Sequence, residues 1–258
     1  GRRVALDTPA THFDYYETDR QHVESIAATA DQFYRDTRQF LGLPPLSAGA
    51  QITVAIRPMR GEGYVLPDGR VVVPSPLLFS CEATCKRETM LLAKLRTQFA
   101  IRAVSECQAH YHIQLQWLTM LLHLARWAGE HPASLTAVTD DGSRTPHAPL
   151  PSGRMYLLRN PIADEGAIYH YPGYTAYRTH AAEIAMNSFY DSLIADRGRD
   201  AVPLLLAALG TEDCWPDVVQ AAFGLSTEES VAGKREQPRA LQYNPTESHT
   251  EEQQAPIR

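Results

Sequence analysis

The sequence predicts an α+β chain: a small mixed N-terminal sheet backed by one long helix, followed by a mainly helical C-terminal half. Three observations predict it. Apolar or small residues recur at helical spacing from Val23 to Leu41 for more than five turns, with charges on the opposite face. Short β-branched or aromatic runs lie on either side of that helix. From Glu88 onward the pattern turns helical.

Taken in order, residues 1–10 form a lead and His12–Glu17 reads as a strand. Thr18 and Gln21 have the spacing of a capping box, which would satisfy free backbone N–H groups at the helix start. The helical period then runs through Val23, Ile26, Ala27, Ala30, Phe33, Tyr34, Thr37, Phe40 and Leu41. Gly42 stops it and Pro44-Pro45 prevents its resumption. Gln51–Arg57 is a second strand. Gly63–Leu66 and Arg70–Pro74 flank Pro67-Asp68-Gly69, a hairpin turn signal. Helices are expected at Glu88–Val104, at about Gln108–Ala128 (apolar on most faces and therefore buried), at Tyr177–Arg197, at Arg199–Leu209 and after Trp215-Pro216. Ser226 and Glu229 repeat the capping spacing. The divisions follow: a lead at 1–10, an αβ subdomain at 11–80, a helical subdomain at 81–232 with a loop-rich insertion at 130–175, and an unpacked tail at 233–258 that is rich in Gln, Glu and Pro. No internal repeat is present.

A chain of 258 residues, 44% hydrophobic and 21% charged, can bury a sizeable core. A net charge of -6 leaves no electrostatic footprint for nucleic acid. No apolar run approaches the roughly 20 residues of a membrane helix, which leaves open anchoring through a missing upstream segment. The opening at Gly1 fits a trimmed or processed chain. Four cysteines, Cys81, Cys85, Cys107 and Cys214, permit disulfides without requiring them.

Three stretches carry a family resemblance: FDYYETDRQHVESIAATADQFYRDTRQFLGLPP with QITVAIRP, then QWLTMLLHLARW, then SFYDSLIADRGRDAVPLLLAAL with DVVQAAFGLSTEE. In order and spacing, over roughly residues 11–230, they resemble the gluzincin-type, peptidase MA-like zinc metallopeptidase domains. The resemblance implies a gluzincin-like fold and an extracytoplasmic location, secreted or membrane-anchored, and there a disulfide among Cys81, Cys85 and Cys107 would persist. Active members carry H-E-x-x-H on one helix, two imidazoles on one face ligating zinc and a Glu serving as general base. A Glu after Trp-Leu on the next helix completes the site. Aligned on the Trp117-Leu118 helix, the pentad here is Ala93-Lys94-Leu95-Arg96-Thr97, and the distal ligand position falls on Met120. Ala93 offers no ligand, Thr97 a poor one, Lys94 an ammonium that repels the cation, and Met120 a soft thioether. No H-E-x-x-H occurs anywhere in the chain. A pseudo-peptidase follows from the resemblance, with no cofactor and no catalytic residue.

Two enzymatic or metal-binding alternatives stay open. Cys81, Cys85, Cys107 and His110 could form a relocated Cys3His zinc site, whereas His110 and His112 share a face only on a strand. A hydrolase of another class would need an organising signature, and neither a G-x-S-x-G elbow nor a base beside Cys214 is present. The favoured expectation is interaction with another protein subunit. Five of the twelve tyrosines, Tyr156, Tyr169, Tyr171, Tyr174 and Tyr177, sit in or beside the insertion, and tyrosine suits interfaces. The competing expectation is that these rings roof the vacated cleft.

Overall fold

The computed structural model describes residues 1–80, 86–136 and 175–225, with residues 175–183 described as helical backbone alone. Five strands form one sheet: β1 (Arg3–Asp7), β2 (Thr11–Tyr16), β3 (Ile52–Arg57), β4 (Tyr64–Val65) and β5 (Val71–Pro74), in the spatial order β1-β2-β3-β5-β4. The central pairs β2–β3 and β3–β5 are parallel, and the two outer pairs are antiparallel. The mixed sheet expected from the sequence is present. Its first strand lies in what reads as a lead. Arg3 pairs with Tyr16 and Asp7 with His12, and Val4 and Leu6 turn inward while Arg3, Ala5 and Asp7 face solvent. Asp14 binds both Arg3, whose Nε donates over 3.1 Å, and Arg57, whose Nη2 donates over 2.5 Å, so three adjacent strands share one carboxylate.

Helix α1 (Arg20–Phe40) follows β2 through a short 3-10 turn, Glu17–Asp19. Val23, Ile26, Ala27, Ala30, Phe33, Tyr34, Thr37 and Phe40 are all buried, as their spacing requires. The capping box is absent. Asp19 occupies the N-cap with no side-chain cap bond, and its buried carboxylate accepts from the Ser75 hydroxyl over 2.7 Å. Thr18 is left exposed, and Arg20 pairs with Glu17 at 2.9 Å instead.

Helix α2 (Arg87–His110) packs against α1, β4, β5 and the next long helix, so α1 and α2 together cover the sheet where the sequence suggests one helix. It runs six residues past its expected end at Val104. The helix expected from Gln108 begins only at Leu118, after a break at Tyr111–Gln114 and a 3-10 turn at Leu115–Trp117. His112 takes a positive φ of 57° in that break. Helix α3 (Leu118–Glu130) returns beside α2, and the short helix α4 (Pro132–Thr136) packs on α1 and α3 with Leu135 buried. The first residues of the expected loop-rich insertion are therefore helical. Helices α5 (Thr175–Arg197), α6 (Ala201–Thr211) and α7 (Trp215–Phe223) complete the described core. Among the described residues no helix is long and apolar enough to cross a membrane.

The break after α2 is a locked joint. Tyr111 donates its hydroxyl to the Leu41 carbonyl over 3.0 Å, beside Gly42, whose φ of 70° ends α1. On the other side Gly210 of α6 lies so close that a methyl group there would overlap the Tyr111 carbonyl oxygen. Gly210→Ala is therefore expected to destabilise the protein by about 2 kcal/mol through overpacking, despite a helix-propensity gain of about 1 kcal/mol. Urea unfolding curves of the two proteins check this.

Candidate functional site

The three zinc-ligand positions and the general-base position that the resemblance implies, Ala93, Thr97, Met120 and Lys94, are not brought together in one site. Ala93, Lys94 and Thr97 lie on the half-exposed side of α2. Lys94 reaches Glu62, just before β4, with Nζ to Oε2 at 2.6 Å, and Gln98 donates to the Glu62 carbonyl over 3.4 Å. Lys94 thus ties α2 to the approach of the edge strand. Its ammonium also lies 5.7 Å from the Phe79 ring centre. The Thr97 hydroxyl is turned back on the Ala93 carbonyl at 3.2 Å, a bond within its own helix.

Met120 is elsewhere. The residue of α3 that meets Thr97 is Gly129, where an added Cβ would stand 3.2 Å from the Thr97 Cα. Met120 precedes Gly129 by nine residues, about 13 Å along the axis at ~1.5 Å per residue. Ligands of one zinc ion lie about 2.0–2.3 Å from it, so Met120 cannot share an ion with Ala93 and Thr97. The Met120 side chain is in the core, and its carbonyl accepts from the buried Tyr190 hydroxyl over 2.9 Å. The assignment of Met120 as the distal ligand position is therefore corrected. The alignment counted residues along the chain, whereas α2 extends farther past Thr97 than that count allowed.

Cys107 and His110 also part company. The Cys107 thiol is fully buried, 4.0 Å from the Leu41 carbonyl, and burial pushes its pKa up to about 12. His110 is exposed, its ring packed edge-on to Tyr111 at 4.7 Å, and His112 is exposed in the turn beyond. Cys107 is a free thiol, and Cys81 and Cys85 lie outside the described residues. No group of three or more His, Cys, Asp or Glu residues that could hold a metal occurs among the described residues. Cys214 is exposed and donates to Asp217 over 2.9 Å, and that carboxylate raises its pKa instead of activating it. Tyr156, Tyr169, Tyr171 and Tyr174 lie outside the described residues, and Tyr177 falls within the backbone-only start of α5. Residues 233–258 and the Ser226–Glu229 pair lie outside as well.

Sequence reasoning missed a polar cluster at the N-terminal ends of the parallel strands. Glu106 of α2 accepts the Tyr34 hydroxyl over 2.6 Å, and its two oxygens also face Arg102, at 2.9 Å, and Arg38. Arg38 donates its Nη2 to the Pro44 carbonyl over 2.8 Å. Beside the cluster runs a groove of about 330 Å³, walled by Arg38, Arg102 and Glu106 on one side and by residues 44–47 and 50–52 on the other. Arg102 and Glu106 stand at i, i+4, a spacing visible in the sequence. Their meeting with Arg38 is not, because it joins residues far apart in the chain.

Comparison of the chain with protein-family models, with curated proteins and with solved structures returned no match to any of them.

The geometry predicts the outcome of rebuilding the metal site. Ala93→His, Lys94→Glu and Thr97→His create two imidazoles and a carboxylate on α2. Adding Met120→Glu is expected to leave zinc affinity unchanged in calorimetry, because position 120 lies too far away. A second expectation concerns the thiols. Iodoacetamide followed by peptide mass spectrometry should modify Cys214 in the native protein and Cys107 only after unfolding, since attack needs an accessible thiolate.

Proposed function

We propose that this chain is a non-catalytic subunit that keeps a peptidase-like frame outside the cytoplasm and works by binding another protein. The frame reads strand, long helix, strand, hairpin and then a helix across the sheet, an order in keeping with the resemblance. The chemistry that would make it a peptidase has no support in the residues present. Ala93 cannot ligate, and Lys94 is committed to Glu62.

The observation that carries the binding reading is an apolar stripe at the start of α3. Leu115, Leu118 and Leu122 are 76%, 39% and 52% exposed. Their spacing of i, i+3 and i+7 puts them on one side of the turn and helix. Single exposed leucines are ordinary, but three in a row along one face mark a surface suited to a partner. The faces beside them are already used. Trp117 donates to the Glu212 carbonyl over 3.2 Å, and Met120, Leu121 and Leu124 fill the core.

The test pairs Leu115→Asp and Leu122→Asp in one variant, with Leu204→Asp, an exposed leucine on α6, as control. The paired variant should keep its melting temperature within about 3 °C, since surface changes are worth about 0.5 kcal/mol or less. It should also lose the stoichiometric complex that the wild-type chain forms in its native source, while the control retains it. An intact complex in the paired variant would refute the reading. So would peptide turnover that is abolished by a chelator.

A further inference from the structure

We propose that the groove beside Arg38, Arg102 and Glu106 binds a small amphipathic carboxylate, an inference independent of the interaction reading. Three observations carry it. The first is charge. Among the described residues two guanidinium groups face a single carboxylate, Glu106, which leaves one positive charge uncompensated beside the groove. Arg38 cannot relieve this by turning outward, because its side chain is only 10% exposed and is held by Glu106 and the Pro44 carbonyl.

The second is hydrogen bonding. Arg38 Nε is buried with no hydrogen-bond partner among the described residues. Arg102 lies 2.9 Å from Glu106 Oε1, yet its Nε–H is not aimed at that oxygen, and its Nη groups make no hydrogen bond among the described residues. A guanidinium carries five donors in a planar fork that suits a carboxylate in two-point contact. Arg102 is thus the side chain with donors to spare, and it is only half-buried, within reach of a ligand. Its guanidinium is backed by Gly69, where a side chain would displace it.

The third is the opposite wall. Pro44, Pro45, Leu46 and Ile52 line the groove with apolar surface. The two prolines contribute no N–H groups, so little competes with an apolar body lying there. A volume of about 330 Å³ falls at the lower end of small-molecule sites. The occupant that fits has one carboxylate for Arg102 and a short apolar body for the Pro44–Leu46 wall.

Hexanoate, hexanol and inorganic phosphate, titrated at constant ionic strength into the full chain, test this, with arginine Nε–H resonances as the readout. Hexanoate is expected to shift the Arg102 signal saturably, with hexanol and phosphate each about tenfold weaker or worse, because one lacks the charge and the other the apolar body. Arg102→Ala should lose the binding, and Arg102→Lys should keep only part of it, since a point charge cannot make the two-point contact. Binding by calorimetry that is equal in wild type and Arg102→Ala overturns the proposal. So does the absence of a saturable hexanoate shift, or equal affinity for hexanol or phosphate. Should the arginine variants fail to fold, Ser47→Asp at the exposed lip places a negative charge in the groove without touching the cluster. It must weaken hexanoate binding, and unchanged affinity overturns the proposal equally.

Discussion

Helix α2 has to be buried on opposite sides at once, and the surrounding elements are arranged to do it. Leu91, Leu95, Phe99, Ala103 and Cys107 form one buried row, joined by Ala100 and Val104, while Met90, Leu92 and Ile101 are partly covered from other directions. A helix of this kind cannot be satisfied by one neighbour. The sheet and α1 take one side and α3 the other, and both must come close. At Thr97 the crossing with α3 needs a residue without a side chain, Gly129, and at Tyr111 the crossing with α6 needs Gly210. Interiors this tight transmit any added volume directly to the backbone.

The same crowding explains the polar cluster. Where α1 and α2 run together, Tyr34 and Arg38 face Glu106 and Arg102. A carboxylate removed from water needs its lone pairs filled, and Glu106 is served by a hydroxyl and two cations. The loop from Pro44 to Ile52 does not close over this cluster, which leaves a charged wall facing an apolar one. The groove is thus a by-product of how the two longest helices meet the sheet.

The separation of Met120 from Thr97 has the same origin. α2 continues for thirteen residues beyond Thr97 before the chain turns. The turn is short, so α3 can return only to meet Thr97 with its last residues, among them Gly129. Met120, at its start, is then committed to the packing around Tyr190. The length of a helix, set by packing at its far end, decided which residues share a level, and no local motif reports that.

The sequence by itself determined the elements whose pattern is strong and local. The buried face of α1 was legible residue by residue, because its period holds over five turns. The β4–β5 hairpin was legible from Pro67-Asp68-Gly69, and the start of α7 from Trp215-Pro216. Strand β1 was missed because Ala5 between Val4 and Leu6 blurs the alternation, and five residues carry too little pattern without the partner strand β2. The end of α2 was misplaced because no Gly or Pro follows Val104 to mark a stop, and the true stop is the contact of Tyr111 with Leu41 and Gly210. At the candidate site the sequence could say which side chains were unfit to bind zinc, because that is a property of each residue alone. That Met120 lies a long way from Thr97, that Cys107 faces inward while His110 faces out, and that Arg38 meets Glu106 were decided only by tertiary structure. Such juxtapositions depend on where whole helices cross, and crossing points are set by packing across the chain.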